Sequence, residues 1–168
     1  NTTIAPDGTF TASSLIADTT SLYHGLARGV NLTVGSVYTY SVYVKAGAYT
    51  KAYMSEGGYG LLYASIDLSA GTIATSGGTN YTSSSITNAG NGWYRVAVTF
   101  TLTAYANPSL YVMGYPTTGA TLNQFGAQYT GDNVSGIYVW GAQLEQRSAA
   151  TTYTPTTSSS AVNYIPCL

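Results

Sequence analysis

Charged side chains are scarce in this sequence. Only 7% of the 168 residues are charged, and six acids against five bases leave a formal net charge of -1. A protein that holds nucleic acid needs a basic surface, and one that collects cations needs an acidic surface. The composition therefore predicts no nucleic-acid partner and favours a neutral one.

Cysteines that could pair and long apolar runs are also missing. The single Cys167 lies next to the C-terminus, which excludes an intrachain disulfide. No apolar run approaches the roughly 20 residues of a membrane helix, and the N-terminus lacks a basic region followed by an apolar one. We therefore expect a soluble chain, without a membrane partner, that is stabilised by packing alone.

Side chains for catalysis and metal binding are few. A glycosidase needs two carboxylates that face one cleft. The six acids are scattered along the chain, at Asp7, Asp18, Glu56, Asp67, Asp132 and Glu145. His24 has no second zinc ligand beside it, and no Gly-x-Ser-x-Gly motif surrounds any serine. The sequence thus predicts a protein that is not an enzyme and that needs neither cofactor nor metal.

The chain is instead rich in tyrosine, glycine, serine, threonine and valine. Its 17 tyrosines and 19 glycines favour strands and turns over helices. A chain of this length fits one domain, which can bury roughly 70% of the unfolded surface. About eight alternating segments separated by Gly-rich turns predict an all-β fold. We expect a two-sheet antiparallel β-sandwich or a jelly roll.

Residues 136–145 are the most informative segment. Read with a period of two, the segment has two faces. One carries Tyr138, Trp140, Ala142 and Leu144, and the other Ile137, Val139, Gly141, Gln143 and Glu145. We predict that the first face is core and that the second becomes polar toward its end. The Ser- and Thr-rich residues that follow predict a module over residues 1–147 and a tail over 148–168.

Two other long segments alternate clearly. Residues 37–45 and 93–102 each carry an apolar face, and the second follows a hairpin turn at 88–92. Weaker strands are predicted over 9–16, 22–32, 61–68 and 110–115, and a long connection over 117–133. The predicted core residues are Tyr38, Tyr40, Val42, Tyr94, Val96, Val98, Phe100, Tyr138, Trp140 and Leu144.

Five segments resemble a domain that is frequent in phage tail and virion-associated proteins. They are Pro6-Asp7-Gly8-Thr9, Tyr23-His24, Ser41-Val42-Tyr43-Val44-Lys45-Ala46-Gly47, Asn91-Gly92-Trp93-Tyr94-Arg95-Val96 and Val139-Trp140-Gly141-Ala142-Gln143-Leu144-Glu145. That domain in turn resembles the jelly-roll carbohydrate-binding modules of xylanases and glucanases. The resemblance implies sugar binding on a concave sheet face or at the loops of one rim, and an extracellular or virion-associated location.

Sugar binding needs a flat aromatic ring and planar polar side chains. The mixed faces of three predicted strands offer them as Tyr43 and Lys45, Trp93 and Arg95, and Gln143 and Glu145. These six residues form one patch if the strands are neighbours, and His24 completes the candidate ligand-binding set. The alternative is a rim ion pair of small value for the charged residues and core packing for Trp93.

A second possible platform consists of loop tyrosines: Tyr49, Tyr53, Tyr59, Tyr81 and Tyr115. The predicted function is that of a non-catalytic module that binds a polysaccharide, such as a plant or bacterial cell-surface glycan. The alternative is a structural or oligomerisation domain of a phage tail fibre, in which the partner is another copy of the chain.

Overall fold

The computed structural model describes residues 2–156, which form thirteen strands in three antiparallel sheets and contain no helix. The predicted all-β, antiparallel fold is therefore confirmed, and this part of the chain has no helix that could cross a membrane. The strands are β1 (Ser13–Ile16), β2 (Ser21–Tyr23), β3 (Gly25–Gly29), β4 (Val37–Ala46), β5 (Lys51–Glu56), β6 (Tyr63–Asp67), β7 (Thr72–Gly77), β8 (Tyr81–Gly90), β9 (Trp93–Thr101), β10 (Ser109–Tyr115), β11 (Thr121–Asn123), β12 (Gly126–Thr130) and β13 (Gly136–Glu145).

Two five-stranded sheets pack face to face around the main core. The first sheet has the order β1-β13-β4-β9-β8, and the second has the order β3-β10-β5-β6-β7. Alternate residues of each strand point to one face, and the inner faces supply buried residues such as Val42 and Val96 from the first sheet and Met54 and Val112 from the second. The predicted turn also forms, because Asn91 and Gly92 adopt φ angles of 51° and 79° between β8 and β9.

A third, three-stranded sheet of order β11-β12-β2 covers the outer face of the second sheet. Ala127 and Tyr129 of β12 pack there against Tyr53, Met113 and Tyr115. The predicted long connection over 117–133 is therefore wrong, because it contains β11 and β12. These strands have three and five residues, which is too short for an alternating pattern to stand out in the sequence.

The predicted faces of β13 are wrong in their first half because a bulge interrupts the strand. Gly141 and Ala142 together lie opposite Val42 of β4, and Gly141 has a φ of 60°. A bulge adds one residue and so exchanges the two faces beyond it. Before the bulge, Ile137 and Val139 point into the main core. Tyr138 and Trp140, predicted as core between the sheets, instead lie on the outer face of the first sheet.

Candidate functional site

The three strands that carry the predicted sugar-binding residues are neighbours, in the order β13-β4-β9. Residues that pair across strands lie on the same face of a sheet. The pairs are Tyr43 with Arg95 and with Trp140, Lys45 with Trp93, Gln143 with Ser41, and Glu145 with Thr39. The structure therefore brings all six predicted residues together on the outer face of the first sheet.

One end of this face is covered by the N-terminal residues. The side chain of Trp93 is only 1% exposed and packs with Ala5 and Ala12. Its indole nitrogen donates a hydrogen bond to the carbonyl oxygen of Ile4, at 3.1 Å. A ring buried in this way has no face on which a sugar could stack, which agrees with the core-packing alternative for Trp93.

The centre of the face is covered by residues 146–154, which we call the strap. The Arg95 guanidinium donates to the carbonyl oxygen of Thr151 and to the Ser41 hydroxyl. The Glu145 carboxylate accepts from the backbone nitrogen of Thr151 at 3.0 Å. The Gln143 amide oxygen accepts from the backbone nitrogen of Thr154 at 2.9 Å. Polar side chains that were expected to hold a sugar thus bind the backbone of their own chain.

The strap begins at the predicted boundary between module and tail. Ser148–Thr154 lie against the sheet. The rest of the predicted tail from residue 157 onward, which includes Tyr164 and Ile165, falls outside the described residues. The carboxylate of Glu145, which accepts a hydrogen bond from Thr151 of the strap, has a lower pKa than usual. Burial raises this pKa, but hydrogen bonds from Thr151 and Gln143 and the nearby charge of Arg95 outweigh it. The division into a module over residues 1–147 and a tail over 148–168 stays a prediction.

His24 lies apart from this face. Its side chain is buried between β2 and β3, where the ring packs against Tyr129 with 4.7 Å between centroids. Nε2 lies 3.0 Å from the carbonyl oxygen of Tyr129, and Nδ1 lies 3.5 Å from the carboxylate of Asp18. The structure therefore does not bring His24 together with the other six candidates.

The loop tyrosines also separate in the structure. Tyr53 and Tyr115 are buried beneath the third sheet. Tyr59, in contrast, is 49% exposed and stacks on Tyr105, with 3.7 Å between the ring centroids. Tyr105 holds a φ of 60°, which is rare for a bulky residue. Only this pair offers exposed stacked rings in the described part of the chain.

An open cleft of about 500 Å³ lies where β1 and β3 form the edges of the two main sheets. Its floor is apolar and is formed by main-core residues that include Val42, Val112 and Val139. Polar and aromatic groups surround the mouth. They are Thr11, Ser13, Arg28, Trp140, Gln143 and Tyr153.

Comparison with known proteins gives no assignment. No protein-family model matches this chain, and no curated protein matches its sequence significantly.

Trp140 and Tyr153 form the aromatic side of the cleft. Their ring centroids are 4.5 Å apart, and Trp140 donates from its indole nitrogen to the Thr11 hydroxyl at 2.9 Å. Gln143 is the one predicted site residue that lines the cleft. Sequence reasoning missed the cleft because the cleft lies between two edge strands, β1 and β3, that belong to different sheets. The only local signal was the alternation of Leu26 and Arg28 with small residues along β3.

None of the acids in the described residues lines the cleft, and each binds a local structural partner instead. Four aspartates accept hydrogen bonds within their own turns: Asp7 from Thr9, Asp18 from Thr20, Asp67 from Ser69, and Asp132 from Ser135. The carboxylate of Glu56 accepts from the backbone of Gly58 and Tyr59. Within residues 2–156 no three acids, histidines or cysteines group in a way that could hold a metal ion.

Proposed function

We propose that this domain binds a polysaccharide in the open cleft without cleaving it. We further propose that its sandwich is a jelly roll like that of the carbohydrate-binding modules that the sequence resembles, acting outside the cell or on a virion. The observation that carries the proposal is the cleft itself. Its volume of about 500 Å³ is typical of ligand sites, which combine a mostly apolar lining with a few placed polar groups.

The chemistry of the cleft suits a pyranose ring. Trp140 and Tyr153 supply aromatic surface for the apolar C–H face of the sugar. Thr11 and Ser13 supply hydroxyl groups that can exchange hydrogen bonds with sugar hydroxyls. The Gln143 amide oxygen already accepts a hydrogen bond from the strap, so this side chain has only an N–H group to offer. Because such bonds replace equivalent bonds to water, the net gain is small. We expect dissociation constants between micromolar and millimolar, or roughly 4–8 kcal/mol.

Absence of cleavage is part of the proposal. Hydrolysis of a glycosidic bond requires two carboxyl groups that flank the bond, and the described cleft lining contains no carboxyl group. A reducing-end assay on every glycan that the domain binds tests this directly. Release of new reducing ends would contradict a purely binding role.

Two aromatic substitutions distinguish a ligand bound in the cleft from a ligand bound at the exposed Tyr59–Tyr105 pair. A glycan array followed by calorimetry on the wild type identifies a ligand. Trp140→Ala should then weaken binding about tenfold. The stacking of a nucleic-acid base on one aromatic side chain is worth on the order of 1–3 kcal/mol, and we expect a similar contribution for a sugar ring. Tyr59→Ala removes an exposed ring at the Tyr59–Tyr105 pair, away from the cleft, and should leave affinity unchanged.

Melting temperatures of both variants show whether the fold survives, since Trp140 also contacts Thr11. Unchanged affinity in a folded Trp140→Ala variant would exclude the cleft. Loss of binding in Tyr59→Ala alone would place the ligand at the Tyr59–Tyr105 pair. Trp140→Phe keeps an aromatic ring and should retain most of the affinity.

A structural role in a virion fibre is the second candidate function, and the exposed apolar side chains favour it. Phe10, Leu22 and Val134 are between 56% and 75% exposed, and contact with another copy of the chain would remove these side chains from water. Sedimentation of the ligand-free domain tests this candidate. A stable oligomer that Leu22→Ser and Val134→Ser convert to a monomer would favour the fibre role, whereas a monomer that binds glycan would favour the first candidate.

A further inference from the structure

Arg28 projects toward the cleft from the exposed edge of the second sheet. In the β3–β10 pair, Arg28 lies opposite Leu110 and Leu26 lies opposite Val112. Both β10 residues are buried in the main core, and partners across strands share a face. Arg28 and Leu26 therefore point to the inner side of the sandwich, where both line the cleft and Leu26 stays 52% exposed.

Arg28 is the one charged side chain among the described residues that line the cleft. The described salt bridges join His24 to Asp18 and Lys51 to Asp67, so no acid within residues 2–156 neutralises Arg28 by direct contact. Its planar guanidinium can donate two parallel hydrogen bonds to one carboxylate. The surrounding lining is otherwise neutral, with Ser13 and Gln143 as further polar groups.

We propose that the cleft selects a polysaccharide that carries carboxylates, as a chain of uronic acids does, and that Arg28 binds the carboxylate. This inference rests on the proposed function and narrows its substrate class. It differs from the neutral partner that the composition favours, because a net charge of -1 does not reveal one cation placed in a cleft.

The other role open to Arg28 is protective. A charge that points inward from an edge strand discourages pairing with another chain. In that role Arg28 would affect aggregation but would not distinguish an acidic glycan from a neutral one. Discrimination between the two ligands is therefore the quantity to measure.

The experiment compares acidic polymers with their own uncharged esters. Alginate and polygalacturonate are each paired with the fully esterified form, and binding to the intact chain is measured by calorimetry at low and high salt. The wild type should bind at least one acidic polymer about tenfold more tightly than its ester, as expected for a charge-assisted contact. Added salt should weaken only the binding of the acid.

Three variants locate the effect. Arg28→Gln should bind the acid and the ester equally. Arg147→Gln makes the same change of charge outside the described cleft lining and should keep the preference for the acid. Arg28→Lys keeps the charge but loses the two-pronged geometry, so it should keep only part of the preference, and it serves as the test if Arg28→Gln does not fold.

Equal binding of acid and ester by the wild type would overturn the inference, as would a preference that survives Arg28→Gln or disappears in Arg147→Gln. Binding of neutral glycans alone would overturn it while leaving the proposed function standing. Failure to bind any glycan would remove both.

Discussion

The two long edges of the sandwich are built differently. At one edge, β7 of the second sheet and β8 of the first are joined by hydroxyl groups: Ser76 donates to the Tyr81 hydroxyl at 2.9 Å, and Ser84 donates to Ser76 at 3.2 Å. At the other edge, β1 pairs only with β13 and β3 only with β10 in the described chain. At the first edge the two sheets are joined and the core is covered, whereas at the second edge the sheets stay apart and leave the cleft.

The two edges therefore differ in what we expect them to contribute, which is stability at the closed edge and ligand binding at the open edge. Consecutive strands close one side because β8 follows β7 through a turn of only three residues, 78–80. The opposite edges, β1 and β3, belong to different sheets and share no hydrogen bond in the described residues. We expect the loss of a hydroxyl group at the closed edge to lower stability and the loss of one at the open edge to weaken binding.

The largest expected effect falls on the core that both edges share. Val98 of β9 is fully buried in the main core between the two sheets. Val98→Asp places an unpaired charge there, which should cost several kcal/mol of a total stability of about 5–15 kcal/mol. Thermal melting followed by circular dichroism measures the loss. Ser83→Asp, at an exposed position of the neighbouring β8, is the control. If Val98→Asp melts at the same temperature as the wild type, the inner and outer faces assigned to β9 are inverted.

The bulge beside the open edge should give the next largest effect. A Cβ at Gly141 would lie 3.1 Å from the Tyr43 ring and 3.3 Å from the Tyr153 ring, and the φ of 60° disfavours any side chain. Gly141→Ala should therefore cost about 2 kcal/mol. Gly8 has a φ of 85° but nothing within 4 Å, so Gly8→Ala should cost about 1 kcal/mol.

Urea unfolding of the two glycine variants gives these free energies. Equal costs would show that crowding by Tyr43 and Tyr153 contributes nothing at the bulge. A cost near zero at both positions would mean that the backbone relaxes out of its left-handed conformation.

One matched pair of substitutions tests the two edges directly. Ser76→Ala removes a hydroxyl from the closed edge, where it joins Tyr81 and Ser84, and should cost about 1 kcal/mol. Ser13→Ala removes an exposed hydroxyl at the open cleft and should change stability by less than about 0.5 kcal/mol. Glycan affinity should fall more in Ser13→Ala than in Ser76→Ala. If either the stability order or the affinity order is reversed, the two edges do not differ in the way that we expect.

The smallest effect is a pH dependence of the strap. The pKa of Glu145 is lowered from its usual 4.5 in the folded protein, so the folded state binds fewer protons than the unfolded chain. The stabilisation is fully present above about pH 4.5 and is lost as the pH falls through the lowered value. The amide resonance of Thr151 should shift in that range.

Other carboxyls with a lowered pKa, such as Asp7 and Asp132, also titrate in acid, so the Thr151 resonance is a better reporter than global melting. Glu145→Gln should remove most of its shift. A shift that remains in this variant would assign the titration to another group.

The parts of the fold that the sequence predicts are those with uninterrupted local patterns. β4 and β9 alternate over their whole length, so the predicted inner residues Val42, Val96 and Val98 lie in the main core. The same alternation places Tyr43 and Arg95 together on the outer face. Periodicity is enough wherever a strand is regular and its neighbours are long.

The features that could not be predicted from the sequence are the bulge, the strap and the cleft, which depend on single residues or on contacts between distant segments. The bulge at Gly141 exchanges the faces of β13. Residues 137–142 are apolar or small on both faces, so the sequence does not show where the alternation changes phase. The strap covers Arg95 through contacts to Thr151, 56 residues away along the chain. The cleft results from the separation of β1 from β3, which no local pattern reports.

The positions of the two tryptophans determine what fluorescence can observe in this protein. Trp93 and Trp140 are the only tryptophans in the sequence, and both belong to the cluster on the outer face of the first sheet, outside the main core. Their emission therefore reports the packing of the N-terminal residues and the strap. Circular dichroism reports the sheets, so a fluorescence transition that precedes the dichroism transition would reveal opening of the outer layer while the sandwich remains intact.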